Sequence, residues 1–404
     1  NNNTAVGADA LAANTTACNN VAMGKSALAA NTTGYDNVAI GSCALDANNG
    51  NDNTAVGRNA LGANTSGCRN TALGYATLDA NTTASNNTAV GHIALSTNTE
   101  GTQNVALGYS ALYCNLCGGY NTAVGNCALY ANSNAEQNTA VGYDALVANT
   151  SGEKNVAVGA FSSYCNTGGC FNVAIGRTAL RNNTCSRNVG IGYASGYNGA
   201  TADGIVGVGS ETLFQNITGG QNTAIGYRAL YYTNAGENTA VGSSALCCNR
   251  AGCRNTAVGY LALNRTTDGS FNTAVGRTAL MCTTTGKQNV AVGTYAACCN
   301  TTGCYNTYLG EQSGFLNTTS SCNTGIGQAA LANNTAEQNT GVGFGALYAN
   351  TTGCRNTAVG TSALYNNTCG LYNAAFGRTA LVCNTTGCFN TGLGTYAGYA
   401  NTTG

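Results

Sequence analysis

The residues with reactive side chains recur at fixed places in this chain. Four pairs of cysteines are separated by four residues each, as in Cys299-Asn-Thr-Thr-Gly-Cys304. Two thiols that bracket a short turn can form a disulfide, and disulfides persist in oxidising, extracellular settings. We therefore predict disulfides that clamp four turns, joining Cys165 and Cys170, Cys248 and Cys253, Cys299 and Cys304, and Cys383 and Cys388.

A zinc site is the competing hypothesis for the cysteines, because Cys114 and Cys117 have the C-x-x-C spacing of zinc ligands. This motif occurs once, and no second pair of ligands follows it at the required distance. We therefore predict no metal and no other cofactor, apart from possible N-linked glycans. The odd total of 21 cysteines leaves at least one thiol free or bonded to another chain.

Asparagines in N-x-S/T sequons are the second group that can be modified. The chain has 17 sequons, and eleven of them begin at the same place in a recurrent N-T-T-G turn. Glycan attachment there is one hypothesis. The other is that the turn itself favours Asn, because twenty copies of the turn have Asn at this place. The predicted glycosylation sites are Asn14, Asn31, Asn64, Asn81, Asn149, Asn216, Asn300, Asn317, Asn350, Asn384 and Asn401.

No catalytic arrangement is evident in the sequence. A Ser-His-Asp or Cys-His site would have to use the single histidine, His92, and nothing in the sequence marks this residue. The glycines of Gly204-Ile-Val-Gly-Val-Gly209 imitate a nucleotide-binding loop, but no helix is predicted to follow them. We therefore predict a protein that is not an enzyme.

The overall composition excludes two classes of partner. The formal net charge is zero and only 7% of the residues are charged, whereas nucleic acids and anionic membranes attract basic surfaces. No apolar run approaches the roughly 20 residues of a membrane span. We expect neither nucleic-acid binding nor a membrane-spanning segment.

One repeat of about 17 residues fills the chain and must position all these side chains. Its consensus is N-T-A-V-G-x-x-A-L-x-x-N-T-T-G-x-x, which we number 1 to 17, and it begins 24 times from Asn3 to Asn390. Position 5 is always Gly, and position 1 is Asn except at Ile205. Four copies have 16 residues, and we place their missing residue after position 9. This period is too short for a helix-turn-helix repeat, which needs more than about 30 residues.

The repeat predicts an all-β solenoid with two short strands and two turns per coil. Positions 2 to 4 form one strand and positions 8 to 11 the other, joined by the glycine bend and the N-T-T-G turn. We expect positions 4 and 9 to form a thin core and position 2 to face inward with position 4. Asparagines at position 1 are expected to form an amide ladder beside a glycine column. Examples of these two columns are Asn3, Gly7, Asn121, Gly125, Asn356 and Gly360.

We expect a single continuous solenoid over residues 1–404, with irregular coils over 188–221. Gly404 has position 15 and the first two residues match positions 16 and 17, so the end is in register with the beginning. Natural solenoids normally have atypical capping repeats, and neither end has one. We therefore expect either head-to-tail stacking of chains or a longer array.

The blocks N-T-A-V-G, N-V-A-I-G and N-V-A-V-G resemble the S-V-A-I-G block in the head repeats of trimeric autotransporter adhesins. They also resemble the N-T-A-V-G-Y-x-A-L arrays of tail-fibre and surface proteins. The resemblance covers the whole chain and rests on five to nine residues per repeat. It implies a left-handed coil, the association of three chains, and a role at a cell or phage surface.

These observations predict an extracellular or cell-surface structural protein that forms a filament or appendage. Its expected partners are other copies of itself, head to tail and laterally, and glycans. Exposed tyrosines at positions 6 and 10 could pack on sugars or on a neighbouring solenoid. The first alternative is the trimeric shaft of an adhesin or tail fibre. The second is an ice-binding protein, which we disfavour because we expect the threonines at position 2 to face inward.

Overall fold

The computed structural model describes residues 2–404. The chain forms two compact units, and the boundary between them falls between Gly204 and Ile205, inside the irregular stretch 188–221. Each unit is a parallel β-solenoid of twelve coils with about 17 residues per coil. No residue from 2 to 404 lies in a helix.

Each coil contributes one three-residue strand, from positions 2 to 4, to a parallel sheet. Successive strands pair without an offset, as in Thr122 with Thr139 and Val124 with Val141. The strands of the first unit are β1 (Thr4–Val6), β2 (Val21–Met23), β3 (Val38–Ile40), β4 (Thr54–Val56), β5 (Thr71–Leu73), β6 (Thr88–Val90), β7 (Val105–Leu107), β8 (Thr122–Val124), β9 (Thr139–Val141), β10 (Val156–Val158), β11 (Val173–Ile175) and β12 (Val189–Ile191).

The second unit also has twelve three-residue strands, one per coil, and it has two further strands of two residues each. They are β13 (Val206–Val208), β14 (Gln215–Asn216), β15 (Thr223–Ile225), β16 (Tyr232–Thr233), β17 (Thr239–Val241), β18 (Thr256–Val258), β19 (Thr273–Val275), β20 (Val290–Val292), β21 (Thr307–Leu309), β22 (Thr324–Ile326), β23 (Thr340–Val342), β24 (Thr357–Val359), β25 (Ala374–Phe376) and β26 (Thr391–Leu393). Strands β14 and β16 pair with each other in parallel.

The segment at positions 8 to 11 provides the second pairing between coils that the sequence predicted. Leu129 N donates to Ala145 O over 3.0 Å, and Ala131 N donates to Val147 O over 3.0 Å. The backbone near this segment adopts left-handed conformations, with φ of 52° at Cys127 and 51° at Leu129. Around this segment of the described coils, regular strand occurs only at positions 11 and 12 of two coils, as β14 and β16.

The core uses the opposite side of the first strand from the one we expected. Ala at positions 3 and 8 and Leu at position 9 form the buried cluster, whereas Leu73 at position 4 is 46% exposed. The prediction that positions 2 and 4 face inward is therefore wrong. The coil is too thin for it, because a Cβ added at Gly341, a position-3 residue, would already lie 3.2 Å from Leu331 Cγ.

One coil of the second unit fills its core with a tyrosine. Tyr308 takes position 3, where Ala is usual, and is only 1% exposed. Two glycines make room for its ring: Gly314 replaces Leu at position 9, and Gly325 replaces Ala at position 3 of the next coil. A Cβ at Gly325 would lie 2.8 Å from Tyr308 Cδ1, and one at Gly314 would overlap the ring.

The four 16-residue coils lose a residue in the turn between positions 12 and 15, not after position 9 as we predicted. In a full coil, Asn64 Nδ2 donates to the carbonyl of Gly67, three residues later, over 2.9 Å. In a short coil, Asn48 Nδ2 donates to Gly50, two residues later, over 2.9 Å. The turn absorbs the deletion, so the strand and core positions keep their register.

We predict that Gly125→Ala destabilises the first unit by about 3 kcal/mol. Gly125 has a φ of +135°, and a Cβ there would overlap the carbonyl oxygen of Gly142 in the next coil. Gly168→Ala is the matched control, because its Cβ would meet only Ser151 Oγ, at 3.3 Å. Urea unfolding of both variants measures the difference, and equal midpoints would contradict the steric role of position 5.

Candidate functional site

Two columns of asparagine run along each unit and, in most coils, meet at one carbonyl oxygen. Asn121, at position 1, donates from Nδ2 to Ala135 O over 2.9 Å. Asn132, at position 12, donates from Nδ2 to the same oxygen over 3.0 Å. Both asparagines are fully buried. The carbonyl at position 15 thus closes the turn onto the strand.

Both columns also connect one coil to the next. Asn121 Oδ1 accepts a hydrogen bond from Asn138 N over 3.0 Å, and Asn132 Nδ2 donates to Asn115 Oδ1 over 2.8 Å. Asn3 and Asn356 make the same contacts in the position-1 ladder. We had expected one ladder, at position 1. The signal for the second was the persistence of Asn at position 12 in copies that lack a sequon.

At nine of the eleven predicted sequons, the asparagine belongs to the position-12 ladder, which argues against a glycan in the folded coil. In these nine residues the side chain is buried and Nδ2 donates inside the coil, so that a glycan has no room. They are Asn31, Asn64, Asn81, Asn149, Asn216, Asn300, Asn317, Asn350 and Asn384. Asn14 and Asn401, in the first and last described coils, are partly exposed.

Three other sequons have exposed asparagines, at Asn2, Asn86 and Asn366. Asn86 lies at position 17 and Asn366 at position 11. Neither position belongs to an asparagine ladder. These are the sequons at which an attached glycan would leave the coil undisturbed.

All 21 cysteines are free thiols in this structure. At position 16, Cys304 Sγ accepts a hydrogen bond from Lys287 N over 3.3 Å and donates to Thr302 O over 3.3 Å. A serine one coil further makes the equivalent contact, since Cys304 N donates to Ser321 Oγ over 3.0 Å. At position 11, Cys165 Sγ instead reaches Asn182 Oδ1 over 3.5 Å.

Two further cysteines at position 16 have similar contacts. Cys388 Sγ accepts a hydrogen bond from Leu371 N over 3.3 Å and donates to Thr386 O over 3.5 Å. Cys253 N donates to Ser270 Oγ over 3.1 Å, and Cys253 Sγ lies 3.8 Å from the same hydroxyl. The thiols of Cys253 and Cys388 are therefore engaged with neighbouring groups of the stack rather than bonded across their turns.

The structure thus differs from the prediction of disulfides across the four turns. The sulfur at position 16 contacts its own turn and an adjacent coil, whereas the sulfur at position 11 lies in a separate column of side chains. Oxidation across the turns stays a prediction. Both thiols are free in every predicted pair, namely Cys165 and Cys170, Cys248 and Cys253, Cys299 and Cys304, and Cys383 and Cys388.

Positions 2 and 4 of the strands form the outer strand face, which is continuous within each unit. It consists of a column of Thr or Val at position 2, with Ala374 as the exception, and a column of aliphatic side chains at position 4, with Phe376 as the exception. Ile40 is 39% exposed and Leu73 46%. With strands spaced about 4.8 Å apart, the face measures roughly 58 Å by 7 Å per unit. An area of about 400 Å² is comparable to the largest apolar patch of a typical soluble monomer, which is often functional.

The outward direction of position 2 also removes our reason for disfavouring ice binding. The threonine hydroxyls lie beside the aliphatic column rather than in the core. Four consecutive coils of the second unit carry them, at Thr223, Thr239, Thr256 and Thr273.

Aromatic side chains beside this face stack on each other along the solenoid. His92 lies between Tyr75 and Tyr109, with ring centroids 5.1 Å and 5.4 Å away, and Arg58 lies 5.9 Å from the Tyr75 centroid. At position 10, Tyr113 and Tyr130 stack at 5.3 Å. The ring faces are thus occupied by neighbouring coils, and the stacks offer mainly ring edges to a sugar.

The fold and the ladders define a parallel β-solenoid of tandem repeats. Within residues 2–404, no group of three or more His, Cys, Asp or Glu side chains could hold a metal ion. The same residues include no helix with the length and apolar character needed to span a bilayer. No protein-family model matches this chain, and no curated protein sequence matches it significantly.

We predict that an N-glycosylating expression host modifies Asn86 and Asn366 but none of the nine buried asparagines of position 12. The physical reason is that only the exposed amides can carry a glycan in folded coils. Peptide mass mapping of the secreted, folded protein before and after deglycosylation provides the measurement. Asn86→Gln and Asn366→Gln serve as controls, and a glycan at Asn64 or Asn350 in folded protein would refute the assignment.

Proposed function

We propose that this protein is an extracellular structural protein that forms a filament or appendage by head-to-tail stacking of β-solenoid coils. The observation that carries the proposal is the uniform contact between coils. Within both units, strands pair residue for residue, for example Ala140 with Ala157 and Ala257 with Ala274. The same contact therefore recurs although the exposed residues of the coils differ.

This contact consists mainly of backbone hydrogen bonds and the two asparagine ladders. Thr139 N donates to Asn155 O over 2.8 Å, and Gly142 N donates to Val124 O over 2.8 Å. The variable residues at positions 6, 7, 10, 11, 16 and 17 are not required for these bonds. Since most coils share this contact, coils of separate molecules can use it as well. Solenoid stability is a sum of such nearest-neighbour contacts.

The outer strand face supports lateral association as well. It carries a column of apolar side chains at position 4, and a second copy presents side chains with the same spacing of about 4.8 Å along the solenoid. Two such faces can interdigitate at the distance of about 10 Å that packed sheets adopt. The resemblance to the adhesin heads, which form trimers, is compatible with such an arrangement.

The proposed extracellular setting rests on the cysteine pairs and the sequons, because disulfides and N-linked glycans are typical of secreted proteins. Disulfides and glycans are part of the proposal, with the glycans at exposed sequons. Glycans of other molecules remain proposed partners, although the stacked aromatic rings do not favour them. The alternative is a shaft of an adhesin or tail fibre with its binding tip in another segment.

Electron microscopy of the purified chain tests the proposal. We expect unbranched filaments that lengthen with protein concentration, because added molecules continue the same coil-to-coil contact. Light scattering on the same samples gives the mass. Discrete particles with the mass of one chain would refute head-to-tail stacking, and discrete trimers would favour the adhesin or tail-fibre shaft.

We predict that Leu73→Glu on the outer strand face prevents lateral association while the coil remains folded. A buried carboxylate between two apolar faces would be unpaired, whereas Leu73 in a single solenoid is 46% exposed. Thr83→Glu, an exposed turn position of the same coil, is the matched control. Filament diameter and sedimentation measure the effect, and unchanged values in Leu73→Glu would exclude this face.

Thermal hysteresis is measured on the same two variants and on the unmodified chain. Ice-growth inhibition that Leu73→Glu removes and Thr83→Glu retains would assign the outer strand face to ice rather than to a second copy. Such a result would favour the ice-binding alternative, which gained support from the outward threonine column.

A further inference from the structure

Three cysteines lie together where two consecutive coils of the second unit stack. Cys282 has position 11 in one coil, and Cys298 and Cys299 have positions 10 and 11 in the next. Cys282 N donates to Cys298 O over 3.0 Å, so the two segments are directly paired. Nowhere else in the sequence do two consecutive coils have cysteine at the same position.

Side chains at position 11 reach one another along the stack. Cys165 Sγ contacts Asn182 Oδ1 at 3.5 Å, and Asn182 Nδ2 donates to Asn198 Oδ1 over 2.9 Å. These three residues occupy position 11 of consecutive coils. Equivalent Cα atoms in neighbouring strands are about 4.8 Å apart, which falls within the range of about 4.4–6.8 Å that disulfides span.

The other possible partners of Cys299 fit less well. Cys298 is its chain neighbour, and Cα atoms across a trans peptide are only about 3.8 Å apart, below the disulfide range. Cys304, across the turn, has its sulfur engaged with Lys287 N and Thr302 O. The column partner Cys282 requires neither a strained peptide nor the loss of these contacts.

We propose that Cys282 and Cys299 form a disulfide that joins two consecutive coils, in place of a bridge from Cys299 to Cys304 across the turn, with a small-molecule disulfide such as glutathione disulfide as the oxidant. One thiolate attacks the oxidant, which gives a mixed disulfide and releases one glutathione. The second thiolate then attacks the protein sulfur of the mixed disulfide and releases the second glutathione. Two protein thiols lose two protons and two electrons, and the oxidant is reduced to two thiols.

Exposure distinguishes the reacting cysteines from their neighbour. Cys282 and Cys299 are partly exposed, whereas Cys298 is 5% exposed. Burial raises the pKa of Cys298 to about 11 and also raises the pKa of Cys299, so access of the oxidant to the sulfur, rather than acidity alone, favours Cys299 over Cys298. Cys298 therefore remains a thiol while its two neighbours react.

The Cys282–Cys299 disulfide would reinforce the stacking contact between two consecutive coils. A bond from Cys282 to Cys299 closes a loop of one coil, so these two coils cannot separate even when their hydrogen bonds open. Disulfides across the turns, as between Cys299 and Cys304, would leave successive coils free to part. This inference does not depend on filament formation.

The test is non-reducing peptide mapping of the full chain, first reduced and then oxidised with glutathione disulfide, with the remaining thiols alkylated. We expect a Cys282–Cys299 cross-linked peptide as the main product from Cys299. Cys282→Ser should abolish it, and Cys304→Ser, in the same coil as Cys299, should leave its yield unchanged. The proposal is overturned if unmodified protein links Cys299 to Cys304 or Cys298, or leaves Cys299 as a free thiol.

Discussion

The structure depends on a buried carbonyl oxygen that, in most coils, accepts hydrogen bonds from two asparagine amides. An unpaired buried polar group costs about 1–3 kcal/mol, so a coil that slipped against its neighbour would lose several satisfied groups at once. The oxygen of Ala135, with Asn121 and Asn132, represents the arrangement. Because the amides also bond to the adjacent coils, the ladders fix the register of the coils that they join. The position-12 ladder is interrupted at Gly199, Thr233, Thr266 and Thr283. Polar residues thus hold the interior of a solenoid whose apolar core is little more than one leucine thick.

Much of this fold could be predicted from the repeat. The period, the number of coils, the glycine bend, the turn and the buried leucine all followed from residue types and spacing. The orientation of the strand side chains, inward or outward, did not follow from the repeat. A three-residue strand has only two settings, and a shift between them exchanges every inward and outward side chain. Hydrophobicity favoured Val at position 4 as the inward residue, but only the methyl group of Ala at position 3 fits opposite Leu. The available volume, rather than hydrophobicity, determined which side chains of the strand face inward.

The backbone conformation at positions 7 and 9 was also beyond prediction. Leu129 has a φ of 51°, a region that leucine rarely adopts. A left-handed conformation costs an L-residue roughly 1–2 kcal/mol. Here the hydrogen bond from Leu129 N to the next coil and the burial of its side chain offset the cost. These compensating interactions exist only when coils are stacked. The left-handed conformation therefore cannot be predicted from a single copy of the repeat.

For the candidate site, residue type was a poorer guide than position. Asn at position 12 and Asn86 both begin sequons, yet one is a buried structural amide and the other is a surface residue. The occurrence of Asn in copies without a sequon was the available signal for the ladder. The cysteines behave similarly, since position 16 places a thiol where serine serves equally well as an acceptor for a backbone N–H. Their chemistry depends on the column that each occupies.

Tyr308 has a consequence for how such an array can change over time. Its ring occupies space that Gly314 leaves in the same coil and Gly325 leaves in the following one. Tandem repeats commonly gain or lose whole copies when misaligned genes recombine, and most of these coils would tolerate such an exchange. At this place it would set Tyr308 against an alanine or leave a void beside Gly325. A copy with Tyr308 therefore requires glycine at position 3 of the copy that follows it, so these two copies are matched as a pair of repeats.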